Sequence, residues 1–135
     1  MSLIYERIYN KLIKVVPPEM IEKQVESGKS KSGSFMDLHY DYLYKDKNGN
    51  SIIALAHNRQ QNGDTIPDPD MEIRLFKDMK MGEAMSFQDI FGYRCVYHDG
   101  GKMVDMKAKK ELNEFLNQWL GNLIKQGHKI QKGGE

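Results

Sequence analysis

Apolar residues recur along this chain with two different periods, and the changes of period divide it into a helix, a run of strands and a second helix. Ile4, Ile8, Leu12 and Val15 follow a helical repeat, widened by Tyr5, Tyr9 and Val16 and stopped by Pro17-Pro18, which predicts a first helix over 3–16. Pro18 can open a further short turn through Lys23, because proline is accommodated at a first helical position. Residues 27–34, Ser-Gly-Lys-Ser-Lys-Ser-Gly-Ser, have the composition of a flexible linker.

The period then becomes two. Met36, Leu38, Tyr40, Tyr42 and Tyr44 alternate with Asp37, His39 and Asp41, as a strand with one buried face requires. Asp46-Lys47-Asn48-Gly49 supplies a turn, and Ser51 to Asn58 returns as a second strand. Two registers fit this hairpin. A two-residue turn sets Tyr42 opposite Leu55, whereas a three-residue loop with a glycine bulge sets Tyr42 opposite Ala54 and His39 opposite His57. Gln60 to Asp70 reads as a polar loop, since Pro67 and Pro69 argue against a central strand. Met71, Ile73 and Leu75 mark a third strand, Met81 to Met85 a fourth, and Tyr93 to His98 a fifth, with one helical turn expected over Phe87 to Phe91.

The last segment returns to the helical period. Ala108, Leu112, Phe115, Leu116, Trp119, Leu120, Leu123 and Ile124 form one stripe of a helix over 105–126, with Asp105 as N-cap and Gly127 at its end. His128 to Glu135 reads as a frayed tail. The whole predicts a single α+β domain over 1–135: an antiparallel meander of four to five strands over 35–98, packed by a short N-terminal helix and a long C-terminal amphipathic one.

Composition narrows the class. Hydrophobic residues make up 39% and charged residues 29%, a globular balance, and no apolar run approaches the roughly 20 residues of a membrane span. Met1 to Tyr9 is interrupted by Glu6 and Arg7, unlike the apolar core of a signal peptide, and Cys95 is the only cysteine, so a reducing, cytoplasmic setting is expected. A net charge of +1 argues against a dedicated nucleic-acid binder.

The stretch Pro69-Asp70-Met71-Glu72-Ile73-Arg74-Leu75-Phe76-Lys77-Asp78, with Gly82-Glu83-Ala84, Phe91 and Leu112-Asn113-Glu114-Phe115-Leu116-Asn117-Gln118-Trp119-Leu120, resembles the YqiB-like family of short bacterial proteins of unknown function. The resemblance implies a shared fold and a bacterial or phage-like origin, and brings no activity, cofactor or catalytic residue. Residues 27–34 and the Lys45–Asn50 hairpin depart from it.

Few residues carry candidate chemistry. Asp37, His39 and Asp41 alternate onto one strand face and, in the bulged register, His57 joins them; imidazoles and carboxylates converging on a sheet can bind zinc or share protons. The plain account of the same pattern is a solvent-facing strand. Gly28-Lys29-Ser30 lacks the glycine five residues upstream that a phosphate loop needs, and Asp64, Asp68 and Asp70 lack the spacing of a calcium hand. Arg74, Tyr93 and Arg94 are candidates for an anion- or base-binding sheet face, the basis of a single-stranded nucleic-acid alternative. The expected function is a non-enzymatic interaction module, binding an unknown protein partner or a second copy through a sheet edge or an uncovered face. The rival is a metal-dependent or enzymatic protein working from Asp37, His39, Asp41 and His57.

Overall fold

The structure, a computed structural model, describes residues 3–61 and 63–132. Helix α1 (Ile4–Val15) and the short α2 (Pro18–Glu22) precede six strands: β1 (Ser27–Ser32), β2 (Phe35–Lys45), β3 (Ser51–Gln61), β4 (Asp64–Phe76), β5 (Met81–Asp89) and β6 (Gly92–Cys95). A small hairpin, β7 (Tyr97–His98) with β8 (Met103–Val104), leads into α3 (Met106–Lys125), and β9 (Gln131–Lys132) ends the described chain. The large sheet has seven strands in the order β6-β5-β4-β3-β2-β1-β9, every neighbouring pair antiparallel. The α+β architecture with its two helices is therefore as expected.

Both helices form where the pattern puts them. Ile8, Leu12 and Val15 of α1 are buried, as are Ala108, Leu112, Leu116, Trp119, Leu120 and Leu123 of α3. Together with Leu38, Tyr40, Ile53, Leu55, Met71, Ile73 and Ala84 they make one core between the helices and one sheet face. Each fully buried large side chain contributes about 1.5–3 kcal/mol. Gly82 permits the contact, since a Cβ there would lie 3.1 Å from Ile8. Asp105 caps α3 by accepting from the Ala108 N–H at 2.9 Å. Gly127, at φ +85, closes it: the Gly127 N–H reaches the Ile124 carbonyl and the His128 N–H reaches Leu123, the paired bonds of a Schellman end. Asn113 ties α3 to the sheet. Its Oδ1 accepts from the Ala84 N–H at 2.8 Å, beside a bulge in the β4–β5 pairing, while its amide donates to the Lys109 carbonyl.

Five expectations need correction, and the first is the fifth strand over Tyr93 to His98: it is two strands, β6 in the large sheet and β7 in the small hairpin. Residues 27–34 are not a linker: Ser27–Ser32 is a strand, and its small residues admit the C-terminal tail, because a Cβ on Gly28 would meet Ile130 at 2.5 Å and the Gln131 carbonyl at 2.6 Å. The tail is not frayed over its described part. His128 and Ile130 are buried and β9 pairs with β1, Gly28 opposite Lys132 and Lys29 opposite Gln131, while 133–135 lie outside the described residues.

The polar stretch before Met71 belongs to β4, which runs from Asp64. The prolines still obey edge logic, because among the described residues β5 pairs only with Asp70–Phe76, so Pro67 has β3 on one side alone. Finally, Phe87 to Phe91 is not a helical turn. β5 continues to Asp89, whose carboxylate accepts from the Phe91 N–H at 2.9 Å and so turns the chain into β6.

Candidate functional site

The β2–β3 hairpin decides the fate of the residues nominated for metal binding. Its loop spans Asp46–Asn50 and is organised by Asp46, whose Oδ1 accepts from the Asn48 and Asn50 N–H groups at 2.9 Å each. A bulge between Tyr42 and Tyr44 then sets Tyr42 opposite Ile53, Tyr40 opposite Leu55, His39 opposite Ala56 and Leu38 opposite His57. Neither register read from the sequence occurs. Past the bulge Tyr44 pairs with Ile52 and leaves the covered face, and it is exposed.

Because opposite residues share a face, His57 lies with the buried Leu38 and His39 lies with Ala56. The structure therefore does not bring the four together. Asp37, His39 and Asp41 stay on the far face, where Asp37 pairs with Lys29 at 3.4 Å. His57 turns inward, its Nδ1 2.9 Å from the Asp37 carbonyl and its ring edge-on to Trp119, centroids 5.6 Å apart. Among the described residues no group of three or more histidine, cysteine or acidic side chains is placed to hold a metal ion. Gly28-Lys29-Ser30 sits inside β1, with no loop to wrap a phosphate.

Arg74, Tyr93 and Arg94 do not share a face either. Adjacent strand residues point opposite ways, so Arg94 turns to α3 and meets Glu111 at 2.9 Å while Tyr93, opposite Gln88, stands on the far face. Arg74 instead belongs to an ionic network at the sheet margin. Its Nε donates to Glu83 Oε1 at 2.8 Å and its second amine reaches the same oxygen; Asp46 lies 3.4 Å away, and the Tyr97 hydroxyl donates to Glu83 Oε2 at 2.7 Å. Burial works to lower the Arg74 pKa, but the hydrogen bond and charge of Glu83, with Tyr97 and Asp46, outweigh it and hold the guanidinium above its usual value. Its planar cation also lies over the rings of Phe76 and Tyr97, 5.3 and 5.0 Å from their centroids. Every strong donor and acceptor here is engaged, which makes this cluster a brace. Glu83, Tyr97 and Lys109, whose Nζ donates to the Tyr97 hydroxyl at 3.4 Å, were not readable as its members, since they converge from three elements.

On the far face, Asp70 and Glu72 of β4 stand near Asp41, with Ala54 and Ala56 between the strands. Burial, and then the charge of Asp41, raises the Asp70 carboxyl above its ordinary range; burial, and then Asp70, does the same to Glu72. A separate cleft of about 430 Å³ opens between α1, α2 and the two hairpin loops, where Tyr9, Ile21 and Lys45 line it and Lys77 pairs with Glu22 at 3.0 Å.

The two sheet edges differ most. At one, β1 is capped by β9; Ser30, buried, accepts from the Lys129 N–H at 2.9 Å and lies 2.9 Å from His128 Nδ1. Burial, and then the nearby His57 ring, lowers the His128 pKa against the weaker pull of Met36 and Asp37. The period-two burial of His128 and Ile130 beyond Gly127 was the available sign of this strand. At the other edge, among the described residues β6 pairs only with β5. Around it stand Ile90, Phe91 and Tyr93, with Phe91 90% and Tyr93 59% exposed, and Met103 and Val104 of the following hairpin are exposed as well.

No helix among the described residues is long and apolar enough to cross a membrane. No curated protein and no solved structure matches the chain. Nothing ties it to the YqiB-like family that its strand and helix motifs suggest; a different family model covers residues 6–129, nearly the whole sheet and both long helices. The chain belongs to that family, described as a domain of unknown function (DUF6908).

Proposed function

We propose that this protein is a non-enzymatic interaction module that receives an extended segment of a partner protein along β6. The observation that carries this reading is the asymmetry of the sheet. One edge is closed by the chain's own tail, while β6 has no second neighbouring strand among the described residues and lies beside exposed aromatic side chains. An incoming strand gains main-chain hydrogen bonds from such an edge and selectivity from the side chains flanking it. Phe91 and Tyr93 favour a segment rich in apolar and β-branched residues. Natural sheets rarely leave apolar edges uncovered, because they invite pairing.

Selection of a random peptide library against the purified protein tests the reading. Enriched segments of alternating apolar character are expected, with binding lost in a Phe91→Asp, Tyr93→Lys double variant that keeps its fold. Binders indifferent to that change, or no enrichment at all, overturn it. Light scattering after size exclusion identifies one further outcome: a dimer abolished by the double variant makes the partner a second copy.

A further inference from the structure

The tail beyond α3 is held by few bonds, the buried side chain of Ile130 and one buried imidazole. Two register pairs join β9 to β1, the Ile130 N–H reaches the Val15 carbonyl at 2.8 Å, and Ser32 Oγ donates to the Gln126 carbonyl. His128 is 3% exposed. Ser30 Oγ already accepts from the Lys129 N–H, so its hydroxyl proton is free for His128 Nδ1, and the proton of the neutral His128 ring belongs on Nε2. That Nε2 is buried without a full hydrogen bond among the described residues, and the Met36 backbone, which favours the charged ring, is outweighed by burial and His57. His57 takes the opposite tautomer, because its Nδ1 faces the Asp37 carbonyl, which can only accept. The two rings stand 5.7 Å apart.

A second proton has no good place here. Added at His128 Nδ1, it turns Ser30 Oγ into the acceptor of two N–H groups and leaves the hydroxyl proton to find another partner. The charges facing the ring do not offset this. From β3 comes His57, while the Asp37 carboxylate of β2 acts only from the far face, where Lys29 of β1 already engages it at 3.4 Å. Ser30 is the polar side chain that β1 presents, α3 contributes Trp119 against His57, and the strap's own Lys129 adds positive charge.

We infer that His128 is a proton-sensitive latch: charging its ring releases the strap 126–132 from β1 and bares that sheet edge while the helices and central strands stay folded. The depressed pKa noted above gives the direction. Docking is at full strength above the ordinary histidine range and weakens as pH falls through that range to the lower value of the docked ring. The released edge would present β1 as a second strand acceptor, separate from β6.

Hydrogen exchange of the Ile130 and Lys132 amides, corrected for the intrinsic pH dependence of exchange and followed from about pH 7.5 to about pH 5, tests the latch. Exchange in the strap is expected to rise several-fold on acidification while β3 and β4 amides hold their protection. His128→Gln is expected to flatten that response, and His57→Gln to leave it in place. A strap equally protected across the range, or a response that survives His128→Gln, overturns the inference. Should His128→Gln fail to fold, ring titration of the intact protein by NMR decides: a charged His128 ring with the strap amides still protected sinks the latch, and strap shifts that follow the ring titration support it.

Discussion

The β1 edge and the β6 edge of this sheet present the same backbone chemistry to their surroundings and treat it in opposite ways. At β1 the residues are small and polar, and the C-terminal tail fits against them so closely that even a Cβ on Gly28 would collide with it. At β6 the exposed aromatics Phe91, just before the strand, and Tyr93, within it, flank the edge, and among the described residues no further strand pairs there. Composition alone inverts the picture, since the serine-glycine stretch reads as loose and the aromatic one as core. What separates them is whether a later segment of the same chain supplies the missing strand. An aromatic path links the two sides across the covered face: Phe87 meets Phe115 at 5.2 Å, Phe115 meets Trp119 at 6.1 Å, and Trp119 leads through His57 to His128.

Removing the middle of that path should disturb both edges most. Trp119→Ala should cost about 3–5 kcal/mol in urea denaturation and loosen both sides together, as for other large aromatic side chains removed from a core. Glu83→Gln, near the β6 side, should cost about 1–3 kcal/mol, because Arg74 and the Tyr97 hydroxyl lose the anion they both donate to. Gly28→Val acts on the closed edge alone. It should cost about 1–3 kcal/mol and strip exchange protection from Ile130 and Lys132 while leaving β5 and β6 unchanged.

A pH-dependent effect sharpens the far face. The Asp70 carboxyl is raised, first by burial and then by Asp41, so its folded form binds protons more readily than the unfolded chain does. Its contribution is therefore favourable in acid and is lost as pH rises through the raised value. Asp70→Asn should stabilise the protein slightly near neutral pH, with the gain vanishing in acid; thermal melts across the range measure it. The smallest effect is expected at the open edge, where Phe91→Ser should change stability by no more than about 0.5 kcal/mol, since Phe91 is almost fully exposed. A large loss there would show that β6 is supported by its aromatics, contrary to the reading of a receptive edge.

The elements with strong internal period were legible, and those defined by partners were not. Helix α3 needed only its own stripe, its Asp105 cap and Gly127. β1 could not be read from Ser-Gly-Lys-Ser-Lys-Ser, because its buried positions, Gly28 and Ser30, carry no apolar signal and are hidden by a segment far along the chain. The β2–β3 register depended on Asp46 gathering a longer loop and on a bulge that shifts Tyr44, neither of which alternation encodes. Among the nominated site residues, the parity rule that grouped Asp37, His39 and Asp41 also separates Tyr93 from Arg94, so part of that correction was available from the sequence. His57 turned on register alone. His128, dismissed as tail, proved to be the buried imidazole of the closed edge.

That edge also imposes an order of assembly. Ser30 waits for Lys129, 99 positions later, before its hydroxyl is satisfied. During synthesis β1 is therefore without its outer neighbour until those 99 residues have followed, and contacts so distant in sequence are slow to close. A serine-glycine strand suits such a wait, since it offers passing chains little grease to stick to.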